Sequence, residues 1–221
     1  TLISNLKEAG ADVSHVRKQS GAPTGIAMII VTENNNRIIL DKGANACLTK
    51  EDIDEFLKDA GESDVYLTQL ENPIDIVGYG LKKAKEKGMY TVLNPAPADQ
   101  KIAEYFEYVD LITPNESELA LFGGKSILFS AGIRKIVTTL GSKGYEIADE
   151  NGAKIHPCIK VKAIDTTAAG DTLCGGLCAY LSEGKTLEEA CAFGSRAASI
   201  ACTRVGAQQS VPTREEVENY R

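Results

Sequence analysis

The segment DVYLTQLENPIDIVGYGLKKAKEKGMYTVLN, residues 64–94, sets two short β-branched and aromatic runs on either side of a longer stretch with helical periodicity. DVYLTQL (64–70) and YTVLN (90–94) have the length and composition of strands. IDIVGYGLKKAKEKG (74–88) spaces its apolar residues for one helix face and ends at Gly88, a helix stop. Strand, helix, strand in this order predicts a crossover unit, which joins parallel strands.

The alternation continues outward. Upstream, TKEDIDEFLKDA (49–60) predicts a helix capped by Thr49, and GIAMIIVT (25–32) with NRIIL (36–40) predicts a hairpin joined across Glu33, Asn34 and Asn35. Downstream come a polar helix near 98–107, the strand YVDLITP (108–114), the helix NESELALF (115–122) and the strand RKIVTTL (134–140). Two short strands around GYEIAD (144–149) and AKIHPC (153–158) follow, then closing helices at about 170–182 and 187–203. The expected fold class is α/β, a three-layer α/β/α sandwich around a mostly parallel sheet covered on both faces.

Composition narrows the function. A chain of 221 residues, 43% hydrophobic and 25% charged, supports one sizeable core and at most one appendage. Its formal charge of −7 offers no basic stripe for a phosphodiester backbone, so nucleic acid is not an expected partner. No apolar run reaches the length of a bilayer span, and TLISNLKEAG (1–10) lacks the basic-then-apolar order of a secretion signal, so no membrane partner is expected either. The six cysteines form no CxxC pair, which predicts small packing residues in a reducing, cytoplasmic compartment. Thr1 lies in what reads as the middle of an amphipathic helix, and residues preceding it are expected.

In a parallel sheet, ligands sit beyond the carboxyl ends of the strands. Four such ends carry polar or glycine-rich turns: Glu71, NPAPA (94–98), PNESE (114–118) and GSKG (141–144). Each turn has a structural explanation of its own, such as Asn115 capping a helix with Glu118 completing a capping box. Their coincidence on one edge predicts a site.

DTTAAGDT (165–172) supplies its chemistry. Ala168, Ala169 and Gly170 have little side chain to obstruct a ligand, and the helix that follows adds partial positive charge, so the turn predicts an anion cradle. A carboxylate binds anions poorly, so Asp171 in that turn is read as a base that takes a proton from an attacking hydroxyl. The alternative is an acidic residue that stabilises the first helical turn.

DTTAAGDTLCGG (165–176) resembles the C-terminal signature of the ribokinase-like family of carbohydrate kinases. GANA (43–46), QLE (69–71), TPNESE (113–118), TLGSKG (139–144) and TRVGAQQSVP (203–212), together with NPAPA, match in the family's order across nearly the whole chain. QLE, NPAPA and the GAQ-S-P ending look more like the ribose-phosphorylating branch than the fructose, adenosine or phosphofructose branches.

The resemblance implies one ribokinase-like domain over 1–221, incomplete at its N-terminus, with 24–42 as part of a small β lid that often pairs with a second subunit, hence a homodimer. It implies transfer of the γ-phosphate of ATP to the primary hydroxyl of D-ribose, giving ribose 5-phosphate. Asp171 would be the base, with Ala168, Ala169 and Gly170 as the anion hole. Glu71 and Asn45 would contact the sugar. Thr139, Leu140, Gly141, Ser142, Lys143 and Gly144 would line the nucleotide site, with Ser195 near the adenine. Asn115 and Glu118 would organise magnesium (Mg2+) and phosphates through water. Asp165, Thr167, Ala201, Arg204, Gly206 and Ser210 would hold potassium (K+), mostly through carbonyls. A kinase for another sugar or nucleoside, or a truncated non-catalytic binding protein, are the alternatives.

Two departures stand out. The family's first strand and glycine-rich sugar-binding region, with an early Asp, have no counterpart here. ALFGGKSILFSAGIRK (120–135) is shorter than the usual helix and connecting loop, through natural contraction or through residues lacking from the chain.

Other features read as structural. GKS (124–126) ends like a P-loop, but Leu119 stands where that motif needs glycine, and a helix precedes it instead of a strand. His15 and His156 read as surface or packing residues, Cys174 and Cys178 as packing on one helix face, and Lys82, Lys83, Lys85 and Lys87 as a solvated face.

Overall fold

The computed structural model describes residues 1–32 and 35–220. After a short helix α1 (Leu2–Glu8), strands β1 (Ile26–Thr32) and β2 (Asn35–Asp41) pair antiparallel with Thr32 opposite Asn35, so Asn35 belongs to the strand. The rest of the expected join, Glu33 and Asn34, falls outside the described residues. This hairpin forms a two-stranded sheet of its own, with Ile26, Met28, Ile39 and Leu40 exposed.

Helix α2 (Lys50–Phe56) starts at Thr49 in a capping box with Asp52. The six-stranded sheet then begins with β3 (Val65–Thr68), α3 (Ile74–Glu86), β4 (Tyr90–Leu93) and β5 (Leu111–Ile112). Helices α4 (Glu116–Leu121) and α5 (Lys125–Ser130) lead to β6 (Lys135–Thr139), followed by β7 (Tyr145–Asp149) and β8 (Gly152–His156). The sheet order is β3-β4-β5-β6-β7-β8, parallel from β3 to β6 and antiparallel beyond. Helices α6 (Ala169–Ser182), α7 (Leu187–Ala201) and α8 (Arg214–Asn219) close the chain.

The polar helix expected near 98–107 is a 3₁₀ helix, Gln100–Tyr108, opened by the Asp99 side chain accepting from the Lys101 N–H. Its buried residues, Ile102 and Phe106, stand four apart, a spacing that reads as an α-helix, so the sequence pattern does not reveal the tighter winding.

Alternation along the strands divides the core. Leu93, Ile112 and Ile136 face one side, with Leu81, Ile102 and Leu128 packed on them. Val92, Leu111 and Val137 face the other, against Leu173, Leu177 and Ala190. Because β3 to β6 advance in one direction, right-handed crossovers put the connecting helices on the first face. The second face is left for α6 and α7, which arrive after the sheet is complete. These two helices approach so closely that a Cβ on Gly194 would lie 2.5 Å from the Leu173 carbonyl oxygen. Each fully buried Leu or Ile contributes roughly 1.5–3 kcal/mol, against about 0–1 kcal/mol for an exposed ion pair. Burial on the two faces therefore decides the architecture.

The basic face of α3 is only partly solvated. Lys85 pairs with Asp110, a buried carboxylate that also accepts from the Thr91 N–H and hydroxyl, each at 3.1 Å. Lys87 reaches the carbonyls of Lys58 and Ala60. These partners lie 19 to 29 residues away in sequence, beyond the reach of a local pattern. Lys125 of the GKS triplet is committed to Glu146, 2.6 Å away. His156 stacks on Tyr145, and His15 meets the edge of Phe56. All six cysteines are free, and no helix among the described residues is long and apolar enough to cross a membrane.

Candidate active site

Backbone hydrogen bonds knit the carboxyl ends of β3 to β6 into one rim. Asn94 N–H donates to the Thr68 carbonyl, Leu70 N–H to Ala96, Thr113 N–H to Leu93 and Thr139 N–H to Pro114, each at 2.9 Å. The four turns singled out in the sequence are thus neighbours. Asn115 and Glu118 form a capping box at the start of α4: Glu118 accepts from the Asn115 N–H, and Asn115 Oδ1 from the Glu118 N–H, both at 2.8 Å. Burial pushes the Glu118 carboxyl up, and the Asn115 N–H partly offsets that.

Helix α6 meets this rim with its N-terminus. Ala168 is its N-cap at φ 59°, a left-handed conformation that costs an alanine free energy and turns the chain sharply into the helix. The turn uses the Ala169 N–H, which donates to the Thr166 carbonyl at 3.2 Å. The N–H groups of Ala168, Gly170 and Asp171 have no acceptor among the described residues. Of the expected cradle of Ala168, Ala169 and Gly170, the Ala169 N–H is thus engaged within the turn, and the Asp171 N–H is unengaged beside those of Ala168 and Gly170. A Cβ at Gly170 would meet nothing of the protein within 4 Å, so the space beside Gly170 is open. Unengaged N–H groups at a helix start suit an anionic group.

Beside this helix end lies a cavity of about 550 Å³. Thr139, Gly141, Ser142 and Gly144 form one wall, Ala169, Gly170 and Ser195 another, and Thr166 and Cys202 its end near Asp165. Leu140, Lys143, Ala168, Asp171, Asn115 and Glu118 flank it without lining it. Asp171 is exposed, one residue from the lining at Gly170. Asn45, in the 3₁₀ turn Gly43–Cys47, and Glu71, after β3, are also exposed and are not part of the lining.

The sequence reading missed the remaining wall, the stretch Cys158–Val161 with Ala163, together with Leu173, Ala198 and Ser199. Ala198 and Ser199 follow Ser195 by three and four residues, a helical spacing that would have found them. The Cys158 stretch has no periodicity to read. Its thiol donates to the Ser142 carbonyl at 3.3 Å.

Asp165 serves a different loop from Asp171. Its carboxylate accepts the Thr167 N–H at 2.9 Å and the Gly206 N–H at 3.0 Å, and hydrogen bonds, those from Thr167 foremost, hold it below the usual carboxylate range. The carbonyls of Asp165, Thr167, Arg204 and Gly206 accept no hydrogen bond among the described residues, while that of Ala201 accepts the Arg204 N–H. Ser210 is fully buried, its hydroxyl donating to the Ala207 carbonyl. Free oxygens of this kind suit a hard monovalent cation.

Arg204 is anchored to α8 by Glu216, with Nη2 2.6 Å from Oε1. The guanidinium and the Thr213 N–H pull the Glu216 carboxyl down to about 2 from an ordinary 4.5. A carboxyl depressed in the folded state stabilises it fully above the unfolded value and loses that contribution as pH falls through the folded one. Stability is thus expected to drop between about pH 4.5 and about pH 2, modestly for so exposed a pair. Thermal unfolding followed over that range should show a shallower pH dependence for Glu216→Gln.

With this geometry in place, comparison with known proteins is direct. The description "pfkB family carbohydrate kinase" matches residues 1–214. A ribokinase of Haemophilus influenzae is 37% identical over 233 residues, covering 100% of this chain and 76% of that protein. The crystal structure of a ribokinase from Thermotoga maritima superposes with a TM-score of 0.84 at 40% identity, over 98% of this chain and 75% of that one. The structure of Arabidopsis thaliana ribokinase complexed with ribose and ATP superposes with a TM-score of 0.77 at 28% identity, over 90% of this chain and 69% of that one.

Proposed function

The chain belongs to the pfkB family of carbohydrate kinases, and from that premise we propose that it transfers the γ-phosphate of ATP to the primary hydroxyl of D-ribose, giving ribose 5-phosphate. It is a sugar kinase, and the ribokinases among its relatives support ribose as the acceptor. The observation that carries the reaction is the start of α6, where three unengaged N–H groups and a carboxylate stand beside a nucleotide-sized cavity.

In-line phosphoryl transfer needs alignment and charge stabilisation more than covalent chemistry. The cavity seats the nucleotide, with Thr139–Gly144 on one side and Ser195 on the other. The N–H groups of Ala168, Gly170 and Asp171 receive the charge that develops on the phosphoryl oxygens. The Asp171 carboxylate takes the proton of the sugar hydroxyl. Glu71 and Asn45 are proposed to hold the sugar.

Glu118 keeps Oε1 free, and no group of three or more metal-ligating side chains gathers among the described residues. One carboxylate oxygen suits magnesium that is bound chiefly by phosphates and water. The free carbonyls around Asp165, with Ala201 and Ser210, would hold potassium. Both ions supply positive charge beside the phosphates. Hairpin 26–41 is proposed as a lid over the sugar, and its exposed apolar residues as a homodimer contact. Free cysteines and dependence on ATP support a cytoplasmic location.

The test is ADP release measured with ribose, 2-deoxyribose, fructose and nucleosides, in potassium and again in sodium. Release dependent on ribose and faster in potassium is expected. Release with fructose or a nucleoside alone would reassign the acceptor, and none with any of them would remove the kinase reading.

A further inference from the structure

A buried polar contact that the reaction does not use links three of the site's loops. Thr113 follows β5 immediately before the PNESE turn, and Cys174 lies one helical turn after Asp171. Both are 3% exposed, and Thr113 Oγ1 lies 3.2 Å from Cys174 Sγ. The same hydroxyl lies 3.4 Å from the Leu93 carbonyl, whose residue ends β4 just before the NPAPA turn.

A threonine hydroxyl has one proton to give and lone pairs to accept with. With Leu93 as acceptor, the contact orders as Cys174 S–H to Thr113 O–H to Leu93 C=O. Burial, and then the nearby carboxylates of Asp171 and Glu118, push the Cys174 thiol up to about 11, so it keeps its proton at neutral pH and can donate.

We propose that the thread Cys174–Thr113–Leu93 sets the position of Asp171 relative to the Asn115–Glu118 turn, making Thr113 and Cys174 positioning residues for phosphoryl transfer. This rests on the kinase reading above. Neither residue lines the cavity, so neither is expected to govern nucleotide affinity. Both fix the register of the first turns of α6 against the ends of β4 and β5, where small displacements of a reacting group are costly in rate.

Thr113→Val keeps the shape and removes the hydroxyl, Thr113→Ser keeps the hydroxyl, and Cys174→Ala removes the thiol. Thr113→Val and Cys174→Ala should each lower kcat about tenfold with the KM for ATP changed less than about twofold, and their combination should lose no more than either alone. Thr113→Ser should stay within about twofold of the parent protein. Hydrogen exchange supplies a readout independent of turnover: the hydrogen-bonded amides of Thr172 and Leu173 should lose protection in Thr113→Val and keep it in Thr113→Ser. Equal kcat in the valine and serine variants, or lost protection spread evenly over the protein, would overturn the proposal. If the parent fails to phosphorylate ribose, the acceptor reading fails, and exchange at Thr172 and Leu173 still decides the thread.

Discussion

Replacing Asp171 by asparagine is expected to lower turnover by about 10²–10⁴-fold, the usual contribution of a positioned general base, while ADP binds the variant about as tightly as the parent. The separation follows from position. Asp171 is exposed in the first turn of α6 and lies outside the cavity lining, so nucleotide contacts do not depend on its carboxylate. Its N–H, unengaged like those of Ala168 and Gly170, survives the substitution. Asparagine also keeps the volume and leaves the helix start unchanged. Kinetics with saturating ribose, beside calorimetric titration with ADP, would read the two quantities separately. An equal loss in both would mean that Asp171 holds the nucleotide instead.

Gly144→Ala is expected to abolish measurable nucleotide binding and to destabilise the fold. Gly144 adopts φ 107°, a conformation that L side chains rarely tolerate. A Cβ there would lie 2.0 Å from the His156 carbonyl oxygen and 2.8 Å from the Cys158 N, both backbone atoms that cannot swing aside. The GSKG turn and the Cys158 stretch touch each other and both line the cavity, so relieving the clash must shift the lining. Overpacking of this kind costs about 1–3 kcal/mol, occasionally more, and the backbone conformation adds about 1–3 kcal/mol. Gly141 offers the contrast. Its φ is 57°, but a Cβ would meet nothing within 4 Å, so Gly141→Ala should pay the backbone cost alone. Melting temperature and ADP affinity for the two variants would distinguish clash from strain.

How much of this was legible in the sequence depends on the range of the cause. The crossover units were readable because strand and helix periods are local, and because Gly88 and the boxes at Thr49 and Asn115 punctuate them within a few residues. The rim was readable for the same reason: turns at the carboxyl ends of parallel strands must be neighbours. The use of the Ala169 N–H was hidden, because it depends on a positive φ at Ala168, which an alanine does not announce. The part of the cavity lining at Cys158–Val161 was hidden because an irregular segment carries no period. Lys85 read as solvated because its partner, Asp110, lies 25 residues on and is brought in only by the sheet. Asp171 is read as a base because a carboxylate in a turn suited to anions calls for a role other than binding, and turnover of Asp171→Asn tests that reading.

The most direct measurement is a rapid-quench single turnover of ATP with ribose, followed for both products at once. ADP and ribose 5-phosphate should appear in equal amounts and at one rate, and that rate should fall by about 10²–10⁴-fold in Asp171→Asn. ADP formed without the sugar phosphate, or an undiminished burst from the variant, would contradict the assignment of this helix end as the place where the phosphate moves.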